Sequence, residues 1–305
     1  MSKIAFVFSG QGAQFSGMGK AFCDAIPAVK ALYNAAEEIR PGTCEQSFHG
    51  TAEELKQTVN TQPCLYLASV AAMLALKENG ITPDVCAGFS LGELAALTCA
   101  GVYSPIDGLK IVMERASLMD RAAHAMPEEP AMAAVMKMEP AEIEKLCASI
   151  DGVYPANYNS PAQTVISGVK SGVAAFREAS GATLIDLPVS GAFHTPYMAS
   201  ASEGFAQYLA DITFNAPEIP VFANLTGCEY EPAAIAETLS AQIQSPVHWQ
   251  KSVENMIAAG VDTFIECGAG KTLAGLIKKI DKSVKVFSVQ DTETLAAAVA
   301  GVKGE

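Results

Sequence analysis

The sequence predicts an α/β fold: a mostly parallel sheet with crossover helices, interrupted by a smaller β-α-β-β-α-β unit. Three observations predict it. Short apolar, β-branched runs alternate with longer helical stretches, the pattern of parallel strands joined by crossovers. One of those runs feeds Gly88-Phe89-Ser90-Leu91-Gly92, the G-x-S-x-G spacing of a nucleophile elbow, and a helical stretch follows at once. From about residue 123 to 195 the rhythm changes to strand, helix, strand, strand, helix, strand, which is the ferredoxin-like order.

The elements follow in chain order. "KIAFVFSG" is a buried strand, and "QPCLYLASVAAMLALKENG" is a helix stopped by Gly80. "PDVCAGFS" is the strand that feeds the elbow, and "LGELAALTCAG" starts a helix directly after Ser90. "AMAAVMKM", "GVYPANYN", "QTVISGV" and "ATLIDLPVS" are the four strands of the inserted unit, with "EPAEIEKLCASI" and "SGVAAFREASG" as its helices. "IPVFANLTG", "VDTFIECGAG" and "VKVFSV" then return three strands to the main sheet. The predicted division is a large domain over residues 1–122 and 196–305, with the ferredoxin-like domain over residues 123–195.

Bulk properties narrow the function classes. Half of the 305 residues are apolar and the formal net charge is −13. That charge argues against a nucleic-acid surface, which needs a concentrated excess of Lys and Arg. The one basic run holds Lys271, Lys278, Lys279, Lys282 and Lys285, either a docking patch for an acidic partner or a solvated helix face. Eight cysteines without a C-x-x-C pair, and four histidines, fit neither a disulfide framework nor a zinc site. The apolar start breaks at Gly10, so it reads as a first strand and not a leader. The longest apolar run, "CLYLASVAAMLAL", falls short of the roughly 20 residues that span a bilayer. These features predict a cytoplasmic protein with no membrane or nucleic-acid partner, and we expect a monomer.

Two glycine clusters invite a nucleotide reading and fail on spacing. Gly10-x-Gly12-x-x-Phe15 lacks the third glycine of the dinucleotide fingerprint, and "GAGKT" has Ile265 where a P-loop needs glycine. The elbow is the stronger signal. Leu91 N–H lies at a helix N-terminus, where free donors and the macrodipole favour an oxyanion. A serine needs a base within hydrogen-bond reach. Of the histidines, His49 and His124 read as surface residues and His248 is open. His194, between glycine and proline just after a strand, sits where a catalytic loop at a sheet end would be.

Taken together, "FVFSGQGAQFSGMG", "AGFSLGELAAL", "VMERASLM", "NYNSPAQTVISG", "VSGAFHTPYM", "TFNAPEIPVFAN", "QSPVHWQKSVENM" and "ECGAGKTLAGL" resemble the malonyl-CoA:acyl carrier protein transacylases, in order and over nearly the whole chain. The resemblance implies a hydrolase-like α/β domain with a ferredoxin-like insertion. It also implies transfer of a malonyl group from malonyl-CoA to the phosphopantetheine thiol of acyl carrier protein in fatty acid biosynthesis, with no metal or organic cofactor. Position by position, it makes Ser90 the acylated nucleophile and His194 its base. Gln11 and Leu91 supply the oxyanion amides, and Arg115 pairs with the malonyl carboxylate. Gln242 offers its backbone carbonyl to the imidazole, which makes its side chain expendable. Phe193 has the bulky form associated with malonyl selection, and Asn157 and Asn159 line the cleft or serve as core or turn residues.

Two positions depart from the family pattern: Phe89 stands where histidine is usual, and Ala116 where glycine is common. The first makes the pocket wall less polar. A serine hydrolase or thioesterase would use the same elbow, but it needs an acidic third triad member and leaves Arg115 without a task. A non-catalytic carrier-protein binding module and a trans-acting acyltransferase serving a polyketide synthase are the other readings.

Overall fold

The computed structural model describes residues 2–304. Among them are strands β1 (Ile4–Phe8), β2 (Val85–Gly88), β3 (Pro130–Met136), β4 (Val153–Ser160), β5 (Gln163–Val169), β6 (Thr183–Leu187), β7 (Val221–Phe222), β8 (Thr263–Cys267) and β9 (Lys285–Val289). They form a five-stranded sheet in the order β7-β2-β1-β8-β9 and a four-stranded sheet in the order β4-β5-β3-β6. Every strand pairing in the larger sheet is parallel, and every pairing in the smaller one is antiparallel. The smaller sheet has the strand order of a ferredoxin-like unit, as its sequence string predicts.

β1 sits mid-sheet because both of its faces are apolar. Phe6 and Phe8 point into one core with Ile265 and Cys267, whereas Ala5 and Val7 point into a second with Phe264 and Trp249. This is the period-2 alternation of a strand covered on both sides. Truncating Phe6, which is fully buried, should cost about 3–5 kcal/mol. The smaller sheet splits its faces differently. Ala133, Val135 and Ile166 pack with Ile143, Val173 and Phe176 of its two helices. The opposite face carries Met132, Ala134, Asn157 and Val165, and it forms one wall of a cleft.

The helix Thr58–Glu78 has the length and apolarity of a membrane span, yet 83% of its most apolar window is buried inside the fold, so it is a core helix here. Pro63 lies within it, and the Val59 carbonyl that a helical N–H would otherwise meet accepts from Arg40 Nη2 at 3.4 Å. The helix Pro105–His124 begins with Ser104 accepting from Asp107 N–H and with proline in its first turn. It carries Arg115 on its buried side, not on the solvent-facing side that an amphipathic pattern alone allows.

One strand is shorter than its sequence suggests. "IPVFANLTG" yields only Val221–Phe222, since Pro220 has no N–H and Asn224 directs its backbone N–H to Glu93 instead of to β2.

Candidate active site

The cleft between the two sheets encloses about 420 Å³ and is lined by Ser90, His194, Arg115, Gln11, Leu91, Asn157, Asn159 and Phe193. Eight of the nine residues singled out from the sequence therefore meet in one place. The ninth, Gln242, lies directly behind it.

The elbow is forced by close packing. A Cβ on Gly88 would stand 1.9 Å from Gly92 C, and one on Gly92 would stand 2.0 Å from Phe8 O, so neither position tolerates a side chain. Between them Ser90 is held at φ 52°, in the left-handed region. His194 has φ 61°, and Lys137 is the third non-glycine residue with positive φ among those described. Two of the three strained positions thus belong to one hydrogen-bonded pair.

His194 Nε2 lies 2.8 Å from Ser90 Oγ. His194 Nδ1 faces the Gln242 carbonyl at 3.0 Å and the Ser245 carbonyl at 3.2 Å. Two acceptors on that side assign the proton to Nδ1, which leaves Nε2 bare to take the serine proton. Burial and the nearby Arg115 cation push the imidazole down to about 4, against the pull of the two carbonyls. The imidazole is therefore neutral at pH 7. Among the described residues, carbonyls and not a carboxylate hold the orienting position of a hydrolase triad.

Arg115 is 1% exposed. Its Nη1 donates to Gln62 Oε1 at 2.9 Å, and its Nη2 donates to Gln242 Oε1 at 2.9 Å and to Ser90 Oγ at 3.2 Å. Nε has no partner, and among the described residues no carboxylate lies within ion-pair distance of this guanidinium. Burial lowers it to about 10, so it stays charged at neutral pH. A buried, incompletely paired cation beside a serine hydroxyl can receive a small anion.

Gln11 and Leu91 both line the cleft, and neither backbone N–H donates to an acceptor among the described residues. Asn157 Nδ2 and Asn159 Oδ1 are buried without partners, whereas Asn159 Nδ2 donates to Gln163 Oε1 at 3.1 Å. Phe89 meets Trp249 edge-on, with ring centroids 5.7 Å apart. His49 and His124 are exposed, and His248 stacks on Tyr158 at 5.0 Å. The helix after "GAGKT" has no free phosphate cradle, since buried Glu266 accepts from the Leu273 and Ala274 amides at 3.1 and 2.8 Å.

The Gln242 side chain, expected to be expendable, makes hydrogen bonds of its own. Nε2 donates to Ser90 O at 2.9 Å while Oε1 accepts from Arg115, so one carboxamide ties the nucleophile to the cation. Sequence reasoning also missed Gln62, Asn224, Glu93, Tyr230 and Ser245. Asn224 Oδ1 accepts the Ser90 N–H at 2.6 Å and its Nδ2 donates to Gly88 O at 2.6 Å. None of these five stands in a spacing that announces it.

Comparisons with known proteins agree with this chemistry. A family model described as the acyl transferase domain matches residues 5–301. The chain is 40% identical to the malonyl CoA-acyl carrier protein transacylase of Bacillus subtilis, over 100% of this chain and 99% of that protein. It is 39% identical to the protein of the same name from Escherichia coli K12, over 98% and 99%. The solved malonyl CoA-acyl carrier protein transacylase of Clostridium perfringens matches with a TM-score of 0.94 at 35% identity, covering 99% of this chain and 98% of that one. A complex of a type II PKS acyl-carrier protein with its malonyl-transacylase matches with a TM-score of 0.92 at 34% identity, covering 98% and 100%.

Proposed function

We propose, from the premise that the chain belongs to the acyl transferase domain family, that it moves a malonyl group from malonyl-CoA to the phosphopantetheine thiol of acyl carrier protein in fatty acid biosynthesis. One observation carries the choice of acyl group: Arg115, buried and without a carboxylate partner, donates to the same Ser90 hydroxyl that would be acylated.

Ser90 Oγ attacks the thioester carbonyl as its proton passes to His194 Nε2, and the oxyanion is received by the Gln11 and Leu91 amides. The CoA thiolate leaves with the proton that His194 returns. The malonyl carboxylate lies on Arg115 meanwhile. In the second half-reaction the carrier thiol gives its proton to His194 and attacks the Ser90 ester, which restores the enzyme. His194 is oriented by two backbone carbonyls and not by a carboxylate, which favours this reading over a hydrolase. Asn157 and Asn159 offer amide partners to the substrate from β4, and Phe193 bounds the acyl pocket.

The division at residues 123 and 195 belongs to the same proposal, with the smaller unit acting as the cleft's second wall. So do a monomeric state, supported by a site built from one chain, and a cytoplasmic location, supported by eight free cysteines.

Intact-protein mass spectrometry after exposure to malonyl-CoA tests the core of it. One added malonyl group is expected, lost on addition of holo acyl carrier protein and absent in Ser90→Ala. Rapid release of free malonate without carrier would mean a hydrolase, and labelling in the mutant would move the chemistry elsewhere.

A further inference from the structure

We propose that Glu93 is a positioning residue for malonyl-enzyme formation, holding the nucleophile elbow in place through Asn224. The inference rests on the acyl-transfer reading above. Wild-type transfer is measured beside every variant, so that the two can fail separately.

Glu93 does not line the cleft, and it is fully buried in the first turn of the elbow helix Gly92–Cys99. Its two carboxylate oxygens are both engaged. Oε2 accepts the backbone N–H of Asn224 at 2.7 Å, and Oε1 accepts from Tyr230 Oη, itself 7% exposed. Asn224 in turn spans the elbow with one carboxamide, accepting from Ser90 N and donating to Gly88 O. Ser90 is left-handed, so its backbone does not rest in a broad minimum and needs outside contacts to fix it. Asn224 supplies two of those contacts beside the Gln242 bond to Ser90 O, and Glu93 holds the Asn224 N–H while the His248 N–H holds its carbonyl at 2.9 Å.

Asn224 stands two residues beyond β7, in a turn closed by Gly227 N–H to Ala223 O and by Ala223 N–H to Cys228 O. Without Glu93 that turn has no bond to the elbow helix through the Asn224 backbone. Burial pushes the Glu93 carboxyl up to about 7, while the donors from Tyr230 and Asn224 pull against that rise. A group this unfavourable to bury is poorly explained by packing alone.

Three variants separate positioning from general support. In Glu93→Gln, the side-chain oxygen can keep the Asn224 N–H and the amide can donate to Tyr230 Oη, so kcat for malonyl-enzyme formation should stay within about threefold of wild type. Glu93→Leu has similar volume but strands the Asn224 N–H. Its kcat should fall about 10- to 100-fold, the scale of an ångström of misplacement, with KM for malonyl-CoA within about twofold. Asn224→Ala should lose a comparable factor, and adding Glu93→Leu to it should cost nothing further. Rates are taken per folded protein, below each melting temperature.

Wild-type kcat in Glu93→Leu would overturn the proposal. So would a Glu93→Gln as impaired as Glu93→Leu, since charge would then matter and not the hydrogen bonds, or losses that add in the double variant. Should Glu93→Leu not fold, Tyr230→Phe takes its place in the cycle with Asn224→Ala, and additive losses there would overturn it equally.

Discussion

Arg115 Nη2 donates to Ser90 Oγ across 3.2 Å, so the buried cation and the elbow serine share a hydrogen bond within one network. The contact couples acyl choice to chemistry. A malonyl ester on Ser90 carries its own carboxylate a few bonds from the guanidinium, whereas an acetyl ester presents only a methyl group. Charge-assisted hydrogen bonds contribute about 1.5 to 3 kcal/mol, roughly tenfold to somewhat over a hundredfold in rate. Arg115→Ala should lower kcat/KM for malonyl-CoA by that factor or more, while acetyl transfer stays level or rises as an unpaired buried cation is removed. Both donors are assayed on both proteins, and equal losses would make Arg115 a support of the fold.

The Gln242 carboxamide yields a second prediction. Gln242→Ala keeps the backbone carbonyl that orients His194 but removes the bonds to Ser90 O and Arg115. Malonyl transfer should fall about tenfold, in keeping with the loss of a bond to a charged group, against about 10²- to 10⁴-fold for His194→Ala. Gln242→Glu should act differently, as its carboxylate would occupy the anion site on Arg115 and raise KM for malonyl-CoA. Steady-state kinetics on the three variants decides it; an unaffected Gln242→Ala would return the side chain to the expendable class.

Much of this site is legible before folding because its residues sit in local signals. Gly88 and Gly92 flank Ser90 at the spacing an elbow requires, and the period-2 alternation of β1 and β3 fixes which side chains face which layer. Asn224 and Glu93 lie in stretches that carry the family resemblance, yet their roles escape because the contact between them spans 131 positions. Arg115 looks like a surface residue on an amphipathic helix until the cleft is closed over it, and only the family resemblance assigns it a role. Residues 20–56 fold into four helices that lie outside the strand-helix alternation, and β7 is trimmed by a carboxylate that no local rule foresees.

Docking of the carrier protein should depend on charge. Lys271, Lys278, Lys279, Lys282 and Lys285 are all exposed, and Thr272 and Leu273, next to Lys271, line the cleft. On a chain of net charge −13, these five exposed lysines form a basic run that could attract an acidic carrier. Reversing Lys278 and Lys279 to Glu should raise KM for the carrier, with KM for malonyl-CoA unchanged, and added salt should weaken wild-type docking. An unchanged carrier KM would place the docking face elsewhere.

The buried His194 and Glu93 should oppose each other in their effect on stability. His194 is pushed down to about 4 from an ordinary 6.5, so the unfolded chain takes up a proton between those values that the folded chain does not; its contribution is complete above 6.5 and lost as pH falls through 4. Glu93, facing Tyr230, Asn224, Gln242 and the more distant Arg115 and Tyr103, is raised to about 7 from 4.5. The folded chain therefore holds a proton that the unfolded chain releases, and this contribution is complete below 4.5 and lost as pH rises through 7. Each amounts to roughly 3 kcal/mol, so in wild type they nearly cancel across the shared window. Glu93→Gln removes one side of the balance, and its stability relative to wild type should rise with pH between about 4.5 and 7. His194→Gln lacks the His194 gain, so its stability relative to wild type should fall as pH rises over about 4 to 6.5. Urea midpoints measured across that range distinguish the cases: curves for both variants parallel to wild type would mean that neither group changes its protonation on folding.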